Sequence, residues 1–292
     1  MYQDGLGVIK DYRMALSWFL KASGKGHADA KKNVGRMYHF GLGVIPDFEL
    51  AKNLYLEAAE QGNAHAKNGL GVLYKDGEGF EKNIEIAISW FKKSALNGFA
   101  LAYYNIALIY DLGDQVKQDY CEAYKWYLQG AEMGHAPSQH SVGDFYSKGF
   151  CVKQNYFIAF NWFRRSANQS YVYAYNSIGW LFETGKGTNQ NLEEAFTFYL
   201  KAASQNHSLA QVNVGRLYNL GRGVTQNQEI ALEWFFKSAN QKNPQAYFHI
   251  GLFYAKQGAE REAIDWFIKA SKLGHAQSKE ILEKEFNVFL KN

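Results

Sequence analysis

Gly-X-Gly stands five times at one recurring turn position of this chain, at 5–7, 41–43, 77–79, 185–187 and 221–223. Closely spaced glycines are what a phosphate cradle requires, because they let backbone N–H groups converge on an anion. None of the five has the third glycine of a dinucleotide fingerprint, and each leads into a helix of a helical pair, not into a βαβ unit. The stretch from Gly179 to Lys186 is one residue too long for a P-loop, and Gly187 stands where Ser or Thr must hold Mg²⁺. Metal chemistry is no better served. Of eight histidines, His27, His135, His207 and His275 share one recurring turn position, which suits a capping or solvated role, and no His-Glu-X-X-His is present. Cys121 and Cys151 form neither a CxxC nor a Cys/His metal spacing and read as two free thiols. No Ser/His/Asp or Cys/His set can be assembled, and the sequons Asn168-Gln169-Ser170 and Asn206-His207-Ser208 read as chance. The chain is expected to be no enzyme and to need no cofactor and no metal.

The glycines belong to a different pattern. Gly35, Gly71, Gly143, Gly179, Gly215 and Gly251 keep a 36-residue phase, with Ala107 in the missing slot; Ala15, Ala51, Ala87, Ala123, Ala159, Ala195 and Ala231 keep it without a gap. A fixed period of this size marks a solenoid, whose long surface favours binding over chemistry. Within residues 28–63, Ala30, Val34, Met37 and Tyr38 predict one amphipathic helix, A; Gly41 to Val44 predict a turn; Ala51, Leu54, Tyr55 and Ala58 predict a second helix, B, closed by Gly62. Four residues before each alanine stand Asp11, Asp47, Asn83, Asp119, Asn155, Asn191 and Asn227, side chains suited to cap helix B; Asp119 with Glu122 and Asn191 with Glu194 have the spacing of capping boxes. Helix B carries an adjacent pair in each repeat, as in Trp18–Phe19, Trp90–Phe91, Trp126–Tyr127, Trp162–Phe163, Trp234–Phe235 and Trp266–Phe267, expected to form the core between stacked pairs. Lys21, Lys93, Arg165, Lys201, Lys237 and Lys269 share one slot in the last turn of B, where a cation suits the helix dipole.

These residues resemble the Sel-one-like repeat family, a relative of the tetratricopeptide repeat. The family pattern stands at 30–44 as Ala30, Gly35, Tyr38, Gly41, Gly43 and Val44, and recurs through essentially the whole chain. The resemblance implies an all-α, right-handed α-solenoid of antiparallel helix pairs, acting as an adaptor between proteins. It also implies relatives in bacteria that are secreted or surface-borne and meet host proteins. The expected layout is a single solenoid over 1–292: a partial repeat at 1–27, repeats at 28–63, 64–99, 100–135, 136–171, 172–207 and 208–243, a short tetratricopeptide-like repeat at 244–275, and a charged C-terminal capping helix at 276–292. In the short repeat Gly251 precedes Ala263 by 12 positions, against 16 elsewhere. Gln115 and Cys151 replace the second loop glycine. Met1-Tyr2 aligns with Met37-Tyr38, so the chain is expected to be a fragment opening inside a helix A, and its compartment stays open, a secreted or periplasmic origin included.

In such solenoids helix A lines the concave face. Relative to the helix-A glycine slot, the positions −6, −3, +1 and +4 give the expected partner-binding surface: Lys32, Arg36, His39, Asn68, Lys75, Leu101, Tyr104, Leu108, Tyr173, Asn176, Trp180, Arg216, Asn219 and Phe248. Its N-terminal end is basic and its middle aromatic and apolar. Asn68, Asn176 and Asn219 could hold an extended backbone through their amides. Trp180, outside the aromatic pairs, either supplies an interface hot spot or packs locally on a neighbouring helix. With 32 basic and 28 acidic residues the chain shows no polyanion signature. The expected partner is a protein or peptide and not nucleic acid, with a membrane or phosphoinositide surface as the second reading.

Overall fold

The computed structural model describes residues 1–288; the last four positions of the expected capping segment lie outside the described residues. Among the described residues there are sixteen helices and no strand. They are α1 (Tyr12–Ser23), α2 (Ala28–Phe40), α3 (Phe48–Glu60), α4 (Ala64–Asp76), α5 (Ile84–Leu96), α6 (Ala100–Leu112), α7 (Tyr120–Glu132), α8 (Ala136–Lys148), α9 (Tyr156–Ala167), α10 (Val172–Thr184), α11 (Leu192–Ser204), α12 (Ser208–Leu220), α13 (Gln228–Ala239), α14 (Pro244–Lys256), α15 (Glu260–Lys272) and α16 (Ala276–Lys284). The even-numbered helices α2 to α14 are the A helices and begin every 36 residues; the odd-numbered ones are the B helices. This is the all-α solenoid of helix pairs expected from the period. The chain divides into two compact units, the first from Met1 to Val142 and the second beginning at Gly143. No helix among the described residues is long and apolar enough to cross a membrane.

Each pair is closed by an aromatic ring of helix B lying on the glycine slot of helix A, which Ala107 fills in α6. A Cβ added to Gly71 would stand 2.5 Å from the Phe91 ring; at Gly179 it would stand 2.7 Å from Tyr199, and at Gly215 2.6 Å from Phe235. The rings of Phe91, Tyr127, Phe163, Tyr199 and Phe267 are fully buried there, flanked by the anchor alanines. The turn after helix A is equally constrained. Gly43 and Gly223 have φ of +74° and +70°, and a Cβ at Gly223 would fall 2.1 Å from the Leu192 carbonyl oxygen, so the loop glycine lets one repeat touch the start of the preceding B helix. The Gly-X-Gly segments are thus a turn and a packing contact.

The B-helix caps form in all seven expected places: Asp11, Asp47, Asn83, Asp119, Asn155, Asn191 and Asn227 each accept a backbone N–H from the first turn. The capping-box return from Glu122 is absent, because its carboxylate accepts instead from the Trp126 indole at 2.9 Å and from Lys125. Three of the four turn histidines cap the next helix: the Nδ1 of His207 accepts from Ala210 N–H at 3.1 Å, that of His275 from Ser278 N–H at 3.2 Å and that of His135 from Ser138 N–H at 3.4 Å, while the His27 side chain caps nothing.

Two expectations need correction. The first residue of each aromatic pair is only half-buried, and Trp18 is 55% exposed. Its outer face is covered by the cation one turn on: Lys93 over Trp90 at 4.2 Å, Arg165 over Trp162 at 4.6 Å, Lys237 over Trp234 at 4.0 Å and Lys269 over Trp266 at 3.7 Å. The recurring cation slot therefore serves a cation–π contact with the residue three before it, besides the helix dipole. The second correction concerns sulfur. Both Cys121 and Cys151 are disulfide-bonded, and neither is a free thiol. Spacing arithmetic finds short motifs such as CxxC, and neither cysteine stands in one.

The C-terminal end is closed as a cap. Leu282 of α16 is fully buried, and Ile281, Phe286 and Val288 pack on the cluster of Ala263 and Phe267, while Lys284 and Glu285 face solvent. In the short repeat only three residues, 257–259, join α14 to α15, against seven between α2 and α3.

Gly71→Val should destabilise the protein by about 1–3 kcal/mol, by forcing α4 off Phe91. Gly71→Ala should cost less, since alanine recovers about 1 kcal/mol of helix propensity and Ala107 already fills that slot. Denaturant unfolding of the two variants checks the order; a valine variant as stable as the parent contradicts it. Within the second unit, Phe163→Ala should cost about 3–5 kcal/mol and Trp162→Ala only about 1–2 kcal/mol, because the tryptophan is half-buried. Equal losses would return the tryptophans to the core.

Candidate partner-binding face

The aromatic that seals each pair also decides what the A helix can offer. Four positions after the A-helix glycine slot, helix A passes the tip of that ring. Where the ring is tyrosine, the facing residue is bound to its hydroxyl. Tyr127 donates to Asp111 at 2.9 Å and Tyr199 to Glu183 at 2.9 Å, and Tyr55 meets His39 Nδ1 at 3.4 Å. Where the ring is phenylalanine, at Phe91, Phe163 and Phe235, the facing residues Lys75, Ser147 and Asn219 have no hydroxyl to meet, and each lines a cavity. From Tyr55 to Phe235 Tyr and Phe alternate from repeat to repeat, so there the +4 slot is alternately structural and open; Phe267 follows Phe235 and ends the alternation. Burial raises all three tyrosines above the usual range, reinforced at Tyr127 by Asp111 and at Tyr199 by Glu183.

In the first unit Lys32, Arg36, His39, Asn68 and Leu101 come together around one cavity of about 360 Å³, with Phe40, Tyr55, His65, Val72, Phe99 and Asn105. His39 is 4% exposed; besides Tyr55 it pairs with Glu78. Asn105 Nδ2 donates to Asn68 Oδ1 at 2.9 Å. Lys75 and Leu108 line a separate cavity of about 150 Å³ that shares Asn105, and Lys75 pairs with Asp76. Tyr104 lies against the Tyr127 and His135 rings, 5.6 and 5.3 Å away, and lines neither cavity.

In the second unit Asn176 and Trp180 line a cavity of about 470 Å³, with Asp144, Ser147, Lys148, Leu209, Asn213 and Gln245 among its walls. Asn213 Nδ2 donates to Asn176 Oδ1 at 3.0 Å. Trp180 is 36% exposed; its ring packs 5.9 Å from Tyr156, and Lys186 lies 5.0 Å above it. It thus both packs locally and faces the cavity. Asn219 lines a further cavity of about 250 Å³ with Phe235, His249 and Leu252.

Besides Tyr104, three expected residues line none of these four cavities. Tyr173, 51% exposed, stacks near Tyr171 and His207. Arg216 gives a bidentate pair to Glu183, at 2.7 and 2.6 Å. Burial would raise the Glu183 carboxyl; the hydrogen bond and charge of Arg216 outweigh it and hold the group below the usual carboxylate range. Phe248 packs among His249, Phe267 and His275.

Sequence reasoning missed Asn105 and Asn213. Both stand two residues before the glycine slot, 37 residues after the asparagine they bond. The signal was available: that slot reads Asn33, Gly69, Asn105, Ser141, Ser177, Asn213 and His249, polar or small throughout, where a packing face would be apolar. Among the described residues no group of His, Cys, Asp and Glu could hold a metal.

The Sel1 repeat model matches residues 1–27, 28–63, 64–99, 100–135, 136–171, 172–207, 208–243 and 244–275. The chain belongs to the Sel1 repeat family. It is similar to c5321, a protective antigen present in uropathogenic Escherichia coli strains displaying an SLR fold, with 30% identity and a TM-score of 0.76. That likeness covers 95% of this chain and 61% of the relative, so this chain spans about three fifths of it. It is also similar to a Sel1 repeat protein from Oxalobacter formigenes, with 27% identity and a TM-score of 0.68, over 78% of this chain and 92% of that one. The immunity protein PA5088 from Pseudomonas aeruginosa shares the fold, with 17% identity and a TM-score of 0.51 over 73% of this chain and 80% of its own. Comparison with the curated proteins finds no match. Folds of this class, related to the tetratricopeptide repeat, are commonly non-enzymatic protein-interaction scaffolds.

One titration on this face should be measurable. The His249 ring stacks on Phe235, centroids 4.8 Å apart and planes 8° apart. Burial, with repulsion from Arg216 and His275, pushes it down to about 4. The unfolded imidazole titrates near ~6.5, so between these values the unfolded chain binds the extra proton. Its contribution is complete above about pH 6.5 and is lost as pH falls toward 4. His249→Gln should flatten the decline in unfolding free energy between pH 7 and 4.5 by on the order of 1–2 kcal/mol. An unchanged slope contradicts the assignment.

Proposed function

We propose that this chain is a non-enzymatic adaptor that holds an extended segment of a protein partner along the exposed faces of its A helices. One observation carries this reading. The same pair of amides, Asn105 with Asn68 and Asn213 with Asn176, recurs 108 residues apart at equivalent slots, each time in the wall of an open cavity. An asparagine amide has two donors and an acceptor with two lone pairs. One contact between partners leaves donor and acceptor capacity on both side chains, matched to a peptide backbone and indifferent to its sequence. The packing positions of the repeat do not need these side chains. Trp180 beside the second pair supplies the rigid aromatic surface typical of an interface anchor.

The Escherichia coli relative is a protective antigen. A secreted or surface-borne adaptor that meets host proteins is the corresponding reading of this chain, and its disulfide-bonded cysteines suit an oxidising compartment.

Panning a random octapeptide library on the purified chain tests the reading. Enrichment is expected, and a share of the selected peptides should bind Trp180→Ala at least about thirtyfold more weakly, the loss of one hot-spot side chain. The same variant should melt close to the parent. No enrichment, or a Trp180→Ala variant destabilised as much as Phe163→Ala, contradicts it.

A further inference from the structure

We propose that the cavity of the first unit takes an acidic segment of the partner, its carboxylates held by Lys32 and Arg36 and an apolar residue further along the segment seated against Val72, Phe99 and Leu101. This rests on the reading that the A-helix face binds a partner chain, and it names the chemistry of that partner.

Lys32 and Arg36 stand four residues apart on α2, so they are neighbours on one face of the helix. A like-charge pair at that spacing disfavours its own helix by a few tenths of a kcal/mol. Lys32 Nζ donates to Asn33 Oδ1 at 2.8 Å, and neither residue forms an ion pair among the described residues. The two nearby acids are engaged elsewhere: Asp29 accepts from Asn63 at 2.8 Å, and Glu78 is bonded to His39. Burial holds the Lys32 amine below the usual lysine range, with Asp29 opposing and Arg36 adding to the effect. Two unpaired cations, one of them half-buried, thus line a cavity with free amide capacity and an apolar wall.

Charge complementarity separates this site from a polyanion surface. A nucleic acid or a membrane is met by many cations at once. Here the recurring cation slot is occupied otherwise, with Lys21, Lys93, Arg165, Lys201, Lys237 and Lys269 all lying over aromatic rings. Two cations beside Val72, Phe99 and Leu101 match one or two carboxylates followed by an apolar side chain, which a peptide supplies and a phosphate chain does not. A-helix axes packed side by side lie about 8–10 Å apart, or about three residues of extended chain. A segment crossing from α2 past α4 to α6 therefore places its apolar residue roughly five or six positions from its acid.

The test compares octapeptide pools selected on the full chain and on a Lys32→Gln/Arg36→Gln variant. The parent pool should be rich in Asp and Glu relative to the input. The variant pool should lose that excess, and individual acidic peptides should bind the variant roughly tenfold or more weakly, with parent binding falling as salt rises. Arg36 is exposed, so Arg36→Gln alone replaces the double variant if the latter melts early. An enriched parent pool without acidic excess, or the same excess in the variant pool, overturns the proposal while leaving the partner-binding reading intact. Absence of any enrichment overturns both. Sedimentation with phosphatidylserine vesicles that the same variant abolishes, without acidic excess in the pool, would assign the cations to a membrane and overturn the proposal.

Discussion

Everything in this fold depends on a ring lying on a glycine. In six repeats the B-helix aromatic occupies the volume that a Cβ would take on helix A, within 3.0 Å of the built position at Gly35, Gly71, Gly143, Gly179, Gly215 and Gly251; in the seventh, Ala107 holds the slot. Such close approach buries a whole aromatic ring with little backbone separation, and the hydrophobic gain scales with the area so removed from water. The consequence is asymmetric. One stripe of helix A is consumed by packing, and the remainder carries residues that the repeat does not dictate. The B helices face the opposite constraint. Their outer tryptophans are half-buried and shielded by a cation from the next turn, so that face is covered from within the chain.

The alternation of Tyr and Phe at the ring position adds a second layer. A tyrosine hydroxyl buried against helix A needs a partner, and His39, Asp111 and Glu183 meet that need. In the other repeats the demand disappears and the same slot becomes surface. Between Tyr55 and Phe235 two repeats, 72 residues, are therefore the period of the +4 slot, although 36 residues are the unit of the fold.

The fold was legible because its determinants are local and repeated. The glycine slot, the anchor alanine and the Asp or Asn cap each recur at a fixed step, and each forms as expected. The candidate face was legible only in part. Reading slots by direction alone identified Asn68, Asn176 and Trp180 but grouped them with Arg216, whose guanidinium is bound to Glu183, and with His39, whose ring is buried. Those outcomes depend on neighbours 16 to 39 residues away, and a slot-by-slot reading takes one residue at a time. The +4 and ring positions nevertheless covary within the chain, Tyr with an acidic residue or His and Phe with Lys, Ser or Asn. That signal was visible in the sequence and required reading two slots together. The tryptophans were over-assigned to the core for a similar reason, since the cation three residues on supplies part of their cover. The disulfide-bonded state of the cysteines had no local signature at all.

The central claim is that partners are held on the A-helix face. Its most direct test is an NMR titration of the ¹⁵N-labelled chain with an octapeptide selected on it, following side-chain amide and indole resonances together. The account predicts that the amides of Asn68 and Asn105, or of Asn176 and Asn213 with the Trp180 indole, shift on saturation, while the indoles of Trp18, Trp90, Trp162, Trp234 and Trp266 stay in place. Shifts concentrated at those B-helix indoles, with the four asparagines unmoved, would contradict it.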